Sequence, residues 1–385
     1  MRLLKITMEG LPHFKNKLDI DFVARQRVDE DDKERLYNVF SSIYVNKVIS
    51  FVGINASGKT TILKALSFAM KMLNNESINN IPSKEILNEL QTNQNVIITS
   101  YFYSKDSIHK LETCIEKKVN DIDGSEKFVI TDERLWSKSV CKVKTKKSIF
   151  DFQDTDLKER RNQDEQYLME DISIMVAINK KNERGYFVYD MLVWTDHNML
   201  SVLGKFPKEL LAFLDSSIEY LECSRREKEV DIRLKFYGKD EIVINNIRAL
   251  ETYLSSGTIK GLSVFMSAVF AFSEGGYLII DEIENHFNRE IVATLIRLFM
   301  DERVNKNHAT ILFSTHYSEL LDEFDRNDSI YIVKNREGII SENLANVLKR
   351  NDMKKSEVYD SDYLGGTVPS YEAYMALKKV LIHIG

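Results

Sequence analysis

Val48-Ile49-Ser50-Phe51-Val52-Gly53-Ile54-Asn55-Ala56-Ser57-Gly58-Lys59-Thr60-Thr61 is the stretch of this 385-residue chain that decides the fold. Residues 48–52 form a nearly unbroken apolar run, the pattern of a strand buried on both faces. Residues 53–60 match G-x-x-x-x-G-K-[ST] at every position. Beyond them Ile62, Leu63, Leu66, Phe68, Ala69, Met72 and Leu73 recur at helical spacing, so the motif stands between a strand and a helix. A phosphate cradle demands that context. The amides of Asn55, Ala56, Ser57 and their neighbours turn toward phosphate oxygens, Gly53 and Gly58 let the backbone come close, and the positive end of the helix dipole faces the same way. Lys59 is placed to reach the β and γ phosphates of a nucleoside triphosphate. Thr60, with Thr61 beside it in the nucleotide-binding turn, is placed to ligate magnesium through its hydroxyl.

Three further segments extend that reading. Leu278-Ile279-Ile280-Asp281-Glu282 is an apolar strand ending in a carboxylate pair. An acidic residue at the C-terminal edge of a buried strand holds magnesium through water, and the next carboxylate polarises an attacking water. Asp281 is therefore assigned to the metal and Glu282 to general-base catalysis. Leu254-Ser255-Ser256-Gly257-Thr258 leads into an apolar helix over 259–272, and its serines fit both an N-cap and an anion site at a helix N-terminus. His316 follows closely on a strand at 309–313. With that strand beside 48–52, the imidazole stands near the γ-phosphate, where it can hydrogen-bond both phosphate and water. His13, His109, His197, His308 and His383 read instead as structural or exposed.

Around these motifs, strands and helices alternate at both ends of the chain. Strand patterns cover 3–8, 18–22 and much of 96–132, and a charged surface loop fills 25–36. A helix follows Pro207, 218–224 and 230–237 read as a hairpin, 288–300 as an amphipathic helix, and 277–280 and 330–333 as strands. The stretch 142–198 is rich in charge, with mixed helical spacing at 167–178. The expected organisation is one α/β nucleotide-binding domain in two parts, 1–140 and 216–385, carrying an inserted, charged, mainly helical lobe over 141–215. A hydrophobic content of 43% and a charged content of 29% permit a sizeable core and exclude wholesale disorder. A formal charge of -6 argues against a surface coated in nucleic acid while leaving room for a local basic groove. Three scattered cysteines without CxxC spacing give no zinc site or disulfide framework and fit a reducing cytoplasm. The most apolar stretch, 261–272, is shorter than the ~20 residues of a bilayer span and contains two serines, so no membrane partner is expected.

In this order the glycine-lysine loop, LSSGT, LIIDE and His316 resemble the ABC-class ATPases, and more closely the soluble branch that holds the chromosome-maintenance (SMC) heads, RecF and the OLD-type ATPases. The resemblance implies ATP and Mg2+ as cofactors and an ABC ATPase head, a P-loop sheet with an antiparallel β arm. It also implies composite sites between two copies packed head to head. On it, LSSGT takes the place of the signature loop, Ser255, Ser256 and Gly257 meet the nucleotide of a second copy, and His316 is the switch histidine. Asn285 and His286 are candidates in the loop after Glu282, and Gln91 and Gln94 are weighed for the Q-loop without a choice between them. The ending NLANVLKRNDMKKSEVYDSDYLGGTVPS, residues 343–370, resembles prokaryotic AAA-type ATP-binding proteins of anti-phage defence operons, such as the ATPase subunits of PARIS, Septu or RloC-like systems.

That second resemblance implies a cytoplasmic ATPase that acts as sensor or scaffold, answers a phage protein, and controls a separate toxin or nuclease effector. No room is left after residue 333 for a second catalytic domain, so no nuclease activity of its own is expected. The alternative is a RecF-like DNA-binding clamp for repair, with 142–147, 158–161 and 225–228 as basic clusters on DNA. The plainer reading of those clusters is a set of solvated faces.

Overall fold

The computed structural model describes residues 1–385 apart from 121–123, 163–167, 177–178, 180–185, 196–199, 201–202, 227–228, 351–352, 369–370 and 385. The first half contributes β1 (Arg2–Glu9), β2 (Leu18–Asp21), the single turn α1 (Glu30–Lys33), β3 (Leu36–Phe40), β4 (Ile43–Asn46), β5 (Val48–Val52), α2 (Lys59–Leu73), β6 (Asn95–Ser104), β7 (Ser107–Val119) and β8 (Glu126–Ser139). The middle adds β9 (Leu157–Arg160), β10 (Val188–Asp190), β11 (Gly204–Lys205), α3 (Lys208–Leu214), β12 (Ile218–Arg226), β13 (Glu229–Phe236) and β14 (Ile242–Ile244). The remainder is α4 (Ser256–Glu274), β15 (Tyr277–Ile280), α5 (Arg289–Met300), β16 (Thr310–Thr315), β17 (Ile330–Asn335), β18 (Ile339–Asn343), α6 (Leu344–Val347), α7 (Lys355–Asp360) and α8 (Tyr371–Ile384).

β5 lies inside a six-stranded sheet of order β10-β15-β16-β5-β17-β18, parallel except for β18. Its apolar run is nearly unbroken because both faces of the sheet are covered. Ile49 and Phe51 pack into one core with α2 and the antiparallel arm, while Val48 and Val52 pack into another with α4 and α5. β15 divides the same way, Tyr277 and Ile279 to the first core and Leu278 and Ile280 to the second. The arm is a second six-stranded sheet, β2-β1-β6-β7-β8-β9, antiparallel throughout. A third sheet, β11-β12-β13-β14, shares a smaller core with α3 and the start of α4 through Leu254, Ile259 and Leu262.

The stretch 141–215, expected as a charged and largely helical insertion, is where the structure differs. Leu157–Arg160 joins the edge of the arm as β9, and Val188–Asp190 joins the core sheet beside β15 as β10. Helix among the described residues there is confined to short 3-10 turns, helical backbone at Met175, Val176 and Asn179, and α3. Every residue of β9 is exposed, and an edge strand protected by charge has the same composition as a solvated helix. Part of the helical spacing expected at 167–178 lies outside the described residues. The hairpin of β3 and β4 was hidden in the same way behind the charged 25–36 loop.

Among the described residues, α4 is the one helix long and apolar enough to cross a membrane by length and composition. It is the mostly buried helix that covers the second face of the core sheet, with Val264, Phe265, Ala268 and Ala271 turned inward. Ser255 caps its start, and Gly275, at φ +70°, ends it in the left-handed conformation that glycine adopts without strain.

Candidate functional site

Parallel neighbours β15, β16 and β5 bring three chain segments to one edge of the core sheet. Asp281 and Glu282 follow β15, His316 follows β16, and the 53–60 loop follows β5. This is the carboxyl edge, where open α/β sheets place their ligands. Asn55, Ala56, Ser57, Gly58, Lys59, Thr60, Thr61, Glu282 and His316 line one cavity of about 410 Å³ there.

The loop that forms its floor is shaped by two glycines. A Cβ on Gly53 would come within 2.4 Å of the Val333 carbonyl oxygen, and one on Gly58, at φ +99°, within 2.5 Å of Ile339. Ala56 is left-handed as well, at φ +59°, and the Asn335 side-chain amide donates to its carbonyl (3.3 Å). Lys59 is buried and donates to the carbonyls of Gly53 (2.9 Å) and Ile54 (3.2 Å). Its third contact is His316 Nδ1 at 3.2 Å. Burial holds the ammonium below the ordinary lysine range, and the carboxylates of Asp281, Glu284 and Glu282 pull it back up. An ammonium only donates, so Nδ1 accepts, the imidazole is the neutral Nε2–H tautomer, and that proton faces Glu282 Oε1 at 3.4 Å.

Thr60 donates its hydroxyl to Asp281 Oδ2 (2.7 Å), and the Ser314 hydroxyl donates to the other carboxylate oxygen. Ser314 Oγ in turn accepts the Glu282 N–H (2.8 Å), which holds Glu282 in the left-handed region at φ +46°. Strain of that kind persists where the surroundings over-determine it, and it gathers at functional sites. The residues fit a nucleotide with magnesium. The Ser57 hydroxyl is buried without a partner in the cradle, and a hydroxyl beside one carboxylate is the hard oxygen set that magnesium uses together with phosphates and water.

Ser255, Ser256 and Gly257 do not line this cavity. Ser255 Oγ accepts the Thr258 N–H (3.1 Å), so the N-cap reading holds, and the residue is exposed. A Cβ on Gly257 would lie 2.5 Å from the His286 carbonyl oxygen, so the start of α4 rests against the loop that follows Glu282. Gln91 and Gln94 lie in the turn before β6 and border a separate cleft with Gly10 and Pro12.

Sequence reading missed four residues. His13, taken as structural or exposed, lines the cavity, as do Asn335 and Ile339. The His13 carbonyl accepts the Ile339 N–H (2.8 Å), a contact across more than three hundred residues that no local pattern signals. Glu284 accepts the His316 N–H on Oε1 (2.5 Å), while its buried Oε2 has no partner. The signal for Glu284 was a third carboxylate two residues past Glu282. Replacing it with alanine should lower turnover about tenfold, the worth of one charge-assisted hydrogen bond, with little change in KM. Glutamine, which keeps an acceptor for the His316 N–H, should recover part of the loss. Steady-state phosphate release measures both.

The fold and the site together define a P-loop nucleotide-binding core. A protein-family model described as "AAA domain, putative AbiEii toxin, Type IV TA system" matches residues 200–322, about a third of the chain. That stretch contains Ser255, Asp281, Glu282 and His316 but not the 53–60 loop, so the likeness and the P-loop motif are separate observations that the fold brings to one place. No curated protein matches the chain.

Proposed function

We propose that the protein is an ATP-hydrolysing switch of a prokaryotic anti-phage defence system, working in the cytoplasm as a pair of copies and controlling a separate effector. One observation carries the ATPase part: Lys59, Thr60, Glu282 and His316, spread over more than 250 residues, line a single cavity at the carboxyl edge of the core sheet, with Asp281 held against Thr60. In this reading the 53–58 amides and Lys59 hold the triphosphate, and His13 and Asn335 border the same cavity. Thr60 and Asp281 hold magnesium, which when bound offsets phosphate charge. Glu282 takes a proton from the attacking water, and the His316 Nε2–H steadies charge as it develops on the γ-phosphate. The defence part is supported by the family likeness over 200–322 and by the resemblance of 343–370.

The paired arrangement is supported by what the cavity lacks. Exposed Ser255 and half-buried Ser256 and Gly257 at the start of α4 lie outside it, and Ser255 is available to the nucleotide of a second copy. Ser255→Arg should therefore leave ATP binding intact and stop turnover. Mixing it with Lys59→Ala, inactive for another reason, tests the geometry. Each mixed pair has one site with an intact P-loop and an intact α4 start, so about a quarter of wild-type phosphate release should return, because half of the pairs are mixed and half of their sites are sound. Inactivity of the mixture would remove the two-copy reading and leave the ATPase reading standing.

The DNA-clamp alternative loses support from the basic clusters. Lys142 pairs with Asp156 (3.1 Å), Arg160 with Asp132 (3.1 Å), and Lys146 donates to the carbonyls of Ala24 (2.6 Å) and Gln26 (2.9 Å). Arg161 donates to the carbonyls of Ile172 (2.8 Å) and Met169 (2.7 Å). Lys146 and Arg161 are engaged inside the fold, and the exposed Lys142 and Arg160 are partly neutralised by their carboxylate partners.

A further inference from the structure

At the edge of the core sheet opposite the P-loop, where β15 begins, the tip of the β6–β7 hairpin closes over a cavity of about 640 Å³. Arg2 lines it and is 9% exposed, yet among the described residues its guanidinium pairs with no carboxylate. Arg2 instead donates to the Thr310 hydroxyl (3.3 Å) and lies 4.7 Å from the centre of the Tyr37 ring. His308 stacks on the same ring at 4.2 Å, at φ +57° and with its Nδ1 buried and unpartnered. Lys47, 1% exposed, is a second buried cation nearby, although it borders a different cavity, and it donates to the Glu34 carbonyl (3.0 Å).

These groups work against one another. Burial first, then Lys47 and Arg2, hold the His308 imidazole below its ordinary value. Burial and then Arg2 do the same to Lys47, with Glu302 and Asp301 pulling the other way. Arg2 is left as a buried cation with little counter-charge among the described residues, which is costly unless an anion supplies it. The cavity gives such an anion a way in, with exposed Lys105 on its lining and, among the described residues, a single lining carboxylate, Glu274. Its walls include Tyr37, Phe102 and Tyr186, and the His109 Nδ1 is likewise buried without a partner.

We infer that this cavity is a second ligand site, taking a small phosphate-bearing molecule with an aromatic body, with Arg2 and Lys105 on the phosphate and the aromatic wall against the ring. Its place in the fold makes it an effector site. Arg2 touches Thr310, the first residue of the strand that leads to His316, and the Leu3 N–H donates to the Tyr277 hydroxyl (2.8 Å) at the start of the strand that leads to Asp281. Binding at this cavity stands apart from the ATPase reading, because none of the residues lining it lines the P-loop cavity, while its effector role rests on that reading.

The test uses the full chain carrying Lys59→Ala, so that binding at the P-loop does not contribute, with inorganic phosphate and adenosine 5′-monophosphate titrated separately by calorimetry. The monophosphate should bind at least tenfold more tightly than phosphate. Arg2→Met should weaken it by tenfold or more, and Lys105→Glu by at least threefold. Should Arg2→Met fail to fold, Lys105→Glu decides alone, because Lys105 is exposed at a hairpin tip. Equal affinity for the two ligands overturns the aromatic part of the site. Absence of binding, or binding untouched by Lys105→Glu, overturns the site itself.

Discussion

Lys59→Ala is expected to lower the affinity for ATP by about a hundredfold, the worth of ~3 kcal/mol from charge-assisted hydrogen bonds to phosphate. All three ammonium protons already have acceptors, the carbonyls of Gly53 and Ile54 and the His316 Nδ1, so the nucleotide takes over a cation that the fold has oriented. The ammonium is also the counter-charge that Asp281, Glu284 and Glu282 act on. Alanine leaves those carboxylates facing a triphosphate without the ammonium between them, and repulsion adds to the lost hydrogen bonds. Arginine should not rescue the loss, because a planar fork does not fit a buried space shaped around a compact ammonium. Calorimetric titration of ATP gives the answer, and affinity within threefold of wild type would sink the assignment of Lys59. Melting without ATP should move little, since the glycines and Ile339 define the loop independently of the lysine.

The part of this site written in neighbouring residues was legible from sequence. A phosphate cradle needs its glycines, lysine and threonine within eight positions, and a strand buried on both faces must be apolar almost throughout, Ser50 being the one polar residue of β5. Residues 48–61 therefore announced themselves, and LIIDE did so for the same reason. The placing of His316 beside the P-loop depended on β16 pairing with β5, which the structure shows. What stayed hidden was built by long-range contact or by very short elements. β10 has three residues, too few to show a period, although it extends the core sheet next to β15. His13 reaches the cavity from a loop, and Asn335 and Ile339 from the paired ends of β17 and β18, where local sequence serves only to turn the chain. Charge misled as well: the exposed LKER of β9 carries no period that separates an edge strand from a solvated helix.

Glu282→Gln should cut turnover by a factor between about 10² and 10⁴, the usual contribution of a general base, while ATP still binds. Glutamine has the shape of glutamate, and the backbone that sets the residue at φ +46° is held through its own N–H on Ser314, so the substitution leaves the geometry in place. The variant removes a carboxylate side chain that is 39% exposed toward the cavity and 3.4 Å from the His316 Nε2. Removing that negative charge from beside the γ-phosphate should tighten ATP slightly, so binding and catalysis move in opposite directions. A trapped ATP then holds two copies together for as long as it persists. Light scattering behind a sizing column should show a two-copy species with ATP and magnesium, a single-copy species without them, and a single-copy species when Ser255→Arg is added. The readouts separate the claims. Unchanged turnover removes Glu282 as the base. Lost turnover without the larger species keeps the base and discards the paired site, and the exposed start of α4 then has only its cap to explain Ser255, with Gly257 explained by its contact with the loop after Glu282.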